Sequence, residues 1–322
     1  MLEFIIALII GFILLVWSAD RFVLGSAATA RNLGVSPLII GMTIMGFGTS
    51  APEMLVATIA SLDNNPGLAI GNAVGSNIAN IAMVLGITSL IAPMSVDSNT
   101  LRREFPIMFF VVSTADGLMF DGELGRLDGI VLLMGLVAVI IWMVRMGLKT
   151  QNISDPLQTE LIDEVPSELP MKTAIFWIIV GLGILIFSSY ILVWGATGIA
   201  RAFGVSDLVI GLTIIAIGPS LPELAASVMG ALKGEHEIAL GNVIGSNMFN
   251  ILGVLGVAGL IQPSHFMPDV LLRDFPVMIG LTIALFFMAY GFRGPGNINR
   301  IEGAILTSTF AAYLAYLYFT AI

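Results

Sequence analysis

The chain contains no cysteine, only two histidines and few charges for its length. Without cysteine there are no disulfides, no thiolate metal sites and no cysteine nucleophile. His236 and His265 both fall in polar connections, which excludes histidine-based catalysis inside an apolar segment. Charged residues make up 11% of the 322 positions, less than half of the roughly 25% found in soluble domains. Hydrophobic residues reach 57%. Apolar runs recur along the whole length, each long enough to cross a hydrocarbon core of about 30 Å. The opening residues lack a basic region and a small-residue cleavage site, so 2–30 read as a retained first helix. The net charge of −9 comes largely from the acidic connection 154–168.

The chain repeats itself. RNLGVSPLIIGMT (31–43) and RAFGVSDLVIGLT (201–213) share eight of thirteen residues at an offset of 170. At the same offset GNAVGSNIANIAMVLG (71–86) aligns with GNVIGSNMFNILGVLG (241–256), and RREFP (102–106) with LRDFP (272–276). After a four-residue slip, GRLDGIVL (125–132) matches NRIEGAIL (299–306). This predicts an all-α integral membrane protein of about ten transmembrane helices, arranged as two inverted five-helix repeats. The first repeat covers 1–147 and the second 171–322, joined by a cytoplasmic polar linker at 148–170. Expected spans lie near 2–30, 36–61, 67–91, 104–120 and 127–147, then near 172–200, 206–231, 237–261, 274–292 and 299–320. Five spans per half, an odd number, make the second copy enter the membrane from the opposite side.

Charge sorts the connections. With the N-terminus outside, the inner ones hold Arg31, Arg102, Arg103, Arg145, Lys149, Lys172, Lys233, Arg293 and Arg300; the outer ones hold Arg126, Arg201 and Arg273. This asymmetry obeys the positive-inside rule and puts both termini outside.

Two motifs carry chemistry. GFGTSAPEM (46–54) and AIGPSLPEL (216–224) each set a glutamate, Glu53 or Glu223, within a span, where a bare charge costs at least about 2.5–3.5 kcal/mol. Pro52 and Pro222 precede them and cannot donate a helical hydrogen bond. Carbonyls around Gly48 and Thr49, and around Gly218 and Pro219, are thereby expected to be released. Such carbonyls are tolerated at membrane depth only in protein or a wet cavity. Carboxylate, serine hydroxyl (Ser50, Ser220) and carbonyl together form the oxygen shell that hard cations take. The second motif, GN-x-x-GSN-x-x-N, lines Asn72, Ser76 and Asn80 along one helix face, and Asn242, Ser246 and Asn250 along another. Its glycines permit close helix contact.

Each feature has a plainer reading. A Ser/Asn stripe with glycine serves as helix-packing glue, a Pro-Glu pair as a helix end, and an intramembrane glutamate as an ion-pair partner. Asp20 and Arg21 read as such a local pair. Recurrence of all the elements at corresponding positions of an inverted repeat favours the functional reading, because broken helices meeting at a repeat interface are where transporters bind substrates. Two buried glutamates facing each other repel unless a cation sits between them.

These motifs resemble the alpha-repeats of the calcium/cation antiporter superfamily, which includes the sodium/calcium exchangers, and the likeness spans nearly the whole chain. The resemblance implies a ten-helix fold and a secondary active antiporter that exchanges Ca²⁺ for Na⁺ by alternating access. Glu53 and Glu223 would be shared ligands, with Thr49, Ser50, Ser220 and the carbonyl of Pro219 nearby. Ser76, Asn80, Ser246 and Asn250 would complete flanking Na⁺ sites, and the first and sixth helices would slide to switch access. One Ca²⁺ would neutralise the two glutamates, whereas the family's three Na⁺ would leave a surplus positive charge and make exchange electrogenic. Two departures bear on this. Pro219 stands where the other half has Thr49, so one hydroxyl is lost. Asn250 stands where several members, including potassium-dependent ones, have aspartate, which counts against potassium dependence. Proton-coupled relatives tend to carry glutamate near Ser76 or Ser246, and its absence favours Na⁺.

A proton-coupled cation exchanger remains the main alternative. A cation channel could use the same oxygens, and an intramembrane hydrolase is indicated only by the serines beside the glutamates. The expected partners are Ca²⁺, Na⁺ and the lipid bilayer, with no cofactor, nucleic acid or obligatory protein partner. The expected location is the plasma (inner) membrane.

Overall fold

The computed structural model describes residues 1–35, 46–96, 99–149, 169–289 and 296–321. Most of the 148–170 segment, and the start of the span expected at 36–61, lie outside these residues. Helices dominate. In chain order they are α1 (Leu2–Asn32), α2 (Gly46–Thr49), α3 (Ala51–Leu62), α4 (Pro66–Ile91), α5 (Asn99–Leu118), α6 (Arg126–Lys149), α7 (Met171–Phe203), α8 (Asp207–Ile210), α9 (Ser220–Lys233), α10 (His236–Ile261), α11 (Val270–Ala289) and α12 (Arg300–Ala321). Among the described residues six of them, α1, α4, α6, α7, α10 and α11, are long and apolar enough to cross a membrane. The spans expected at 36–61 and 206–231 are instead broken beside the glutamates. The span at 104–120 falls on α5, which carries Arg103, Glu104 and Asp116. The span at 299–320 falls on α12.

Local chemistry sets the helix ends. Prolines stand in the first turns of α3 and α4, where a missing N–H costs nothing. Gly204 (φ 67°) and Gly234 (φ 87°) close α7 and α9 in the left-handed conformation, which glycine adopts without a Cβ penalty. Both α4 and α10 widen into a π-helix at matching places, Asn80–Leu85 and Asn250–Leu255. The bounds of α4 and α10 differ by the repeat offset, 236 − 66 = 170.

Helices α4 and α10 form the centre: 83% of each apolar window is buried, against 28–39% for α1, α6, α7 and α11. The outer helices turn Ile9, Ile13, Ile179 and Phe187 outward, the expected covering for a lipid-facing wall. Crossing at the centre is close. A Cβ on Gly71 of α4 would stand 2.5 Å from the Leu208 carbonyl oxygen and 3.0 Å from the Gly211 Cα.

Helices α1 and α7 lie antiparallel along each other. Gly25 meets Ala174 and Ile178 at one end, and Gly195 meets Phe4 and Leu8 at the other. With 31 and 33 residues, they run about 46–50 Å, longer than the hydrocarbon core. Arg21 sits beside Asp20 (3.6 Å) and 5.2 Å from the centre of the Trp177 ring, so the expected local pair is present and gains a cation–π contact.

Among the described residues two short antiparallel ribbons tie the connections together. In one, β1 (Met94–Val96) pairs with β4 (Gly296–Ile298), matching Met94 with Ile298. In the other, β2 (Glu123–Leu124) pairs with β3 (Ser264–His265), matching Glu123 with His265. Beside the first ribbon, His236 Nδ1 accepts from the Ser95 backbone N–H at 3.0 Å. At the mouth of α11, Asp274 is fully buried; it accepts from Arg273 Nε at 2.7 Å and from Tyr313 Oη of α12 at 2.9 Å.

Candidate functional site

The breaks in the two motif segments have a common geometry. Helix α2 ends at Thr49, Ser50 takes φ −90° and ψ 0°, and α3 begins at Ala51. In the second copy, α8 continues as a π-helical stretch (Gly211–Ile215), Gly218 and Pro219 form a turn, and α9 begins at Ser220. Glu53 and Glu223 therefore each fall in the first turn of a helix. Unsatisfied N–H groups and the positive end of the helix dipole lie there and favour negative charge.

Both glutamates are 0% exposed. None of their four carboxylate oxygens has a hydrogen-bond partner among the described residues. The two carboxyl groups lie close enough to act on each other electrostatically. An unpaired charge in such a place is costly unless a counter-charge arrives.

Hydroxyls and amides of the four repeated motifs are buried in the same core as the carboxylates. Ser50, at the N-cap of α3, would ordinarily accept from the second or third N–H of its helix. It makes no such bond; its Oγ is buried and without a partner among the described residues. Ser220 Oγ is in the same condition. Thr49 Oγ1 lies 3.3 Å from Asn242 Oδ1 and 3.2 Å from Ser246 Oγ, joining the first motif to α10. Ser76 Oγ reaches the Ala216 carbonyl at 3.5 Å, joining α4 to the second motif. Asn72 donates to the Glu53 backbone carbonyl at 3.1 Å. Asn80 donates to Asn247 Oδ1 at 3.2 Å, and neither polar atom of Asn250 has a partner among the described residues. Pro219 stands at the N-cap of α9.

One expectation is corrected. The Gly218 carbonyl is not released, since it accepts from the Leu221 N–H at 3.1 Å as the first turn of α9 closes. The proline of the motif starts a new helix instead of leaving a gap in an old one.

Three contacts escaped the sequence reading. Asn77 and Asn247 recur in the repeated GSN triplet but lie off the stripe of every fourth residue, so periodicity passed over them. Both are buried and meet across the centre. On α1, Phe12 sits where a Cβ on Gly218 would go, and Val23 sits where one on Gly48 would go. Among the described residues no group of three or more His, Asp or Glu side chains is placed to hold a metal ion by itself.

Long apolar helices around broken ones that bear buried carboxylates define a helical membrane transporter. The chain belongs to the sodium/calcium exchanger family: the family's model, described as sodium/calcium exchanger protein, matches residues 3–145 and 173–319. That family consists of transporters, not enzymes. The chain is 48% identical over 320 residues to CaxA of Alkalimonas amylolytica, covering 99% of this chain and 100% of that one. It is 41% identical to the inner membrane protein YrbG of Escherichia coli (strain K12), covering 97% and 95%. Among solved structures it is similar to the sodium-calcium exchanger NCX_Mj soaked with Na⁺ and Sr²⁺. The TM-score is 0.67 and the identity 32%, covering 97% of this chain and 98% of that one.

Proposed function

We propose that the protein is a secondary active antiporter that exchanges Ca²⁺ for Na⁺ at a site near the membrane midplane formed by Glu53 and Glu223. The observation that carries the reading is the pair of fully buried carboxylates with no partner for any of their four oxygens among the described residues. Hydroxyl oxygens without partners lie in the same motifs at Ser50 and Ser220, and an amide oxygen without one lies in the second motif at Asn250. An oxygen-only donor set with two negative charges suits a hard divalent cation or a group of monovalent ones. Thr49, the Pro219 carbonyl, Ser76, Asn80 and Ser246 complete the proposed ligand set. Membership of the family, and likeness to an exchanger structure soaked with Na⁺ and Sr²⁺, support the choice of ions.

The chain functions as two inverted five-helix halves, 1–147 and 171–322, making ten crossings, with 148–170 in the cytoplasm and both termini outside. Support comes from the connections. The ribbon β1–β4 joins two connections assigned to the inner side, and β2–β3 joins two assigned to the outer side. The proposed location is the plasma (inner) membrane, in keeping with the name of the Escherichia coli relative. Charge explains why exchange prevails over leak: an empty pair of carboxylates is costly to carry through a dry intermediate, whereas one Ca²⁺ cancels both.

The test is radiolabelled Ca²⁺ uptake into proteoliposomes loaded with Na⁺ and diluted into Na⁺-free buffer, with a pH-gradient arm in parallel. Uptake driven by Na⁺ and lost in Glu53→Gln is expected. Uptake driven by the pH gradient alone would replace Na⁺ by H⁺ as coupling ion, and uptake without any counter-ion gradient would mean a channel.

A further inference from the structure

At the centre of the molecule a side-chain amide from one half holds a side-chain amide of the other. Asn247 of α10 accepts from Asn80 Nδ2 at 3.2 Å, and its own Nδ2 lies 3.5 Å from the Asn77 carbonyl oxygen of α4. Asn77 in turn donates to the Ala73 carbonyl at 2.8 Å. All three asparagines are at most 1% exposed, so water does not compete for these bonds.

An asparagine amide has a donor end and an acceptor end, and only the acceptor end can face a cation. Anchoring Nδ2 decides which end is left. At Asn80 the anchored end is Nδ2, and the buried Oδ1 has no partner among the described residues. Asn72 follows the same rule, with Nδ2 on the Glu53 carbonyl and Oδ1 without a partner. The second half does otherwise. Asn242 uses Oδ1 to accept from Thr49 and keeps Nδ2 without a partner, while Asn250 has neither end anchored among the described residues. In the first half Asn72 and Asn80 thus keep an amide oxygen without a partner, whereas in the second Asn242 keeps an NH₂ group and Asn250 both ends, among the described residues.

We infer that Asn247 is a positioning residue for cation binding: by accepting from Asn80 Nδ2 it locks that amide with its oxygen, and not its NH₂, facing the cation. The helix carrying Glu223 packs against the Asn80–Leu85 segment, so the anchored amide and Glu223 stand on elements in direct contact. If Asn247 is lost, the Asn80 amide is free to turn, and half of its orientations oppose a cation. Two copies of the same motif therefore do unequal work, with Asn247 of the second repeat serving the ligand of the first.

The inference rests on the cation-site reading above, and the test separates the two. The purified protein is titrated with Ca²⁺ by equilibrium binding of the radiolabelled ion, and unfolding temperature is recorded in cation-free buffer. In Asn247→Leu the Ca²⁺ dissociation constant is expected to rise about tenfold, or about 1.4 kcal/mol. In Asn247→Asp, which still accepts from Asn80 and adds a negative charge that favours a cation, it is expected not to rise by more than about threefold. A purely structural role would lower the unfolding temperature and leave the constant unchanged. An unchanged constant in the leucine variant overturns the inference, as does an aspartate variant as weak as the leucine one. If the leucine variant does not fold, the aspartate variant decides alone: near-parental affinity supports the inference and a tenfold loss overturns it. Wild-type protein that binds Ca²⁺ but shows no Na⁺-driven uptake sinks the exchange reading and leaves this inference standing. Wild-type protein that binds neither Ca²⁺ nor Na⁺ overturns both.

Discussion

Replacing Glu53 by glutamine changes one property of the site, its charge, while keeping the shape. A divalent cation and one carboxylate about 4 Å apart attract by roughly 8 kcal/mol at an effective dielectric of about 20, twice the value for unit charges. Dehydration of both partners consumes much of this. A net loss of at least about 2.8 kcal/mol, a hundredfold in affinity, is the expected remainder. At a Ca²⁺ concentration one hundred times the parental dissociation constant, the bound ion stabilises the parent by about 2.7 kcal/mol. For a variant a hundredfold weaker the same concentration equals its dissociation constant, and the stabilisation falls to about 0.4 kcal/mol. Without Ca²⁺ the sign reverses. Glu53 is wholly buried and unpaired, and a neutral isostere removes a charge whose burial costs at least about 2.5–3.5 kcal/mol. Thermal unfolding of the purified protein with and without Ca²⁺ reads both effects. The expected variant melts no lower than the parent in cation-free buffer and loses the Ca²⁺-dependent rise. A variant that keeps the rise refutes the ligand role. One that melts well below the parent without Ca²⁺ shows Glu53 to be a structural partner.

Other substitutions probe the scaffold by the same unfolding measurement. Gly218→Val directs a side chain onto the Phe12 ring; a loss of about 1–3 kcal/mol from overpacking is expected, relieved by Phe12→Ala in the same chain. No relief would mean that the contact does not limit the site. Asp274→Ala removes the shared acceptor of Arg273 and Tyr313 and is expected to cost about 3–5 kcal/mol. Tyr313→Phe, which leaves that ion pair intact, is expected to cost about 1.5–3 kcal/mol; the reverse order would contradict the network. Gly71→Ala forces a methyl against the backbone of Leu208 and Leu212, so it is expected to destabilise. Gly183→Ala, which meets nothing within 4 Å, is expected to stabilise by about 0.5–1 kcal/mol. Equal effects at the two glycines would refute the close crossing at Gly71.

Much of the protein was legible before any coordinates. A long apolar run has one stable form in hydrocarbon, because every backbone N–H and C=O must be satisfied within the segment; α1, α4, α6, α7, α10 and α11 follow from that alone. The repeat offset is a property of the letters, and the π-helical segments at Asn80 and Asn250 keep it. Family membership was legible too, since the two paired motifs are specific. The glutamates drew attention because an ionisable residue in an apolar run is expensive. The fate of the Gly218 carbonyl is not legible in the sequence, because whether a proline breaks a helix or begins one depends on the turn before it, and that turn closes through Leu221.

What the sequence could not determine is whatever depends on which groups meet across the molecule. The shared GN-x-x-GSN-x-x-N pattern carries no sign of how its asparagines differ between the halves. Only the packing of α4 against α10 decides that Asn80 is held by Asn247 while Asn250 has no partner among the described residues. Likewise Phe12 of α1 covers Gly218 in the other half, whereas Val23 covers Gly48 in its own. Helix formation and burial are local consequences of composition and period, so they can be read along the chain. The orientation of an amide and the seat of a ring are fixed by partners far away in sequence, so they are decided only when the helices pack.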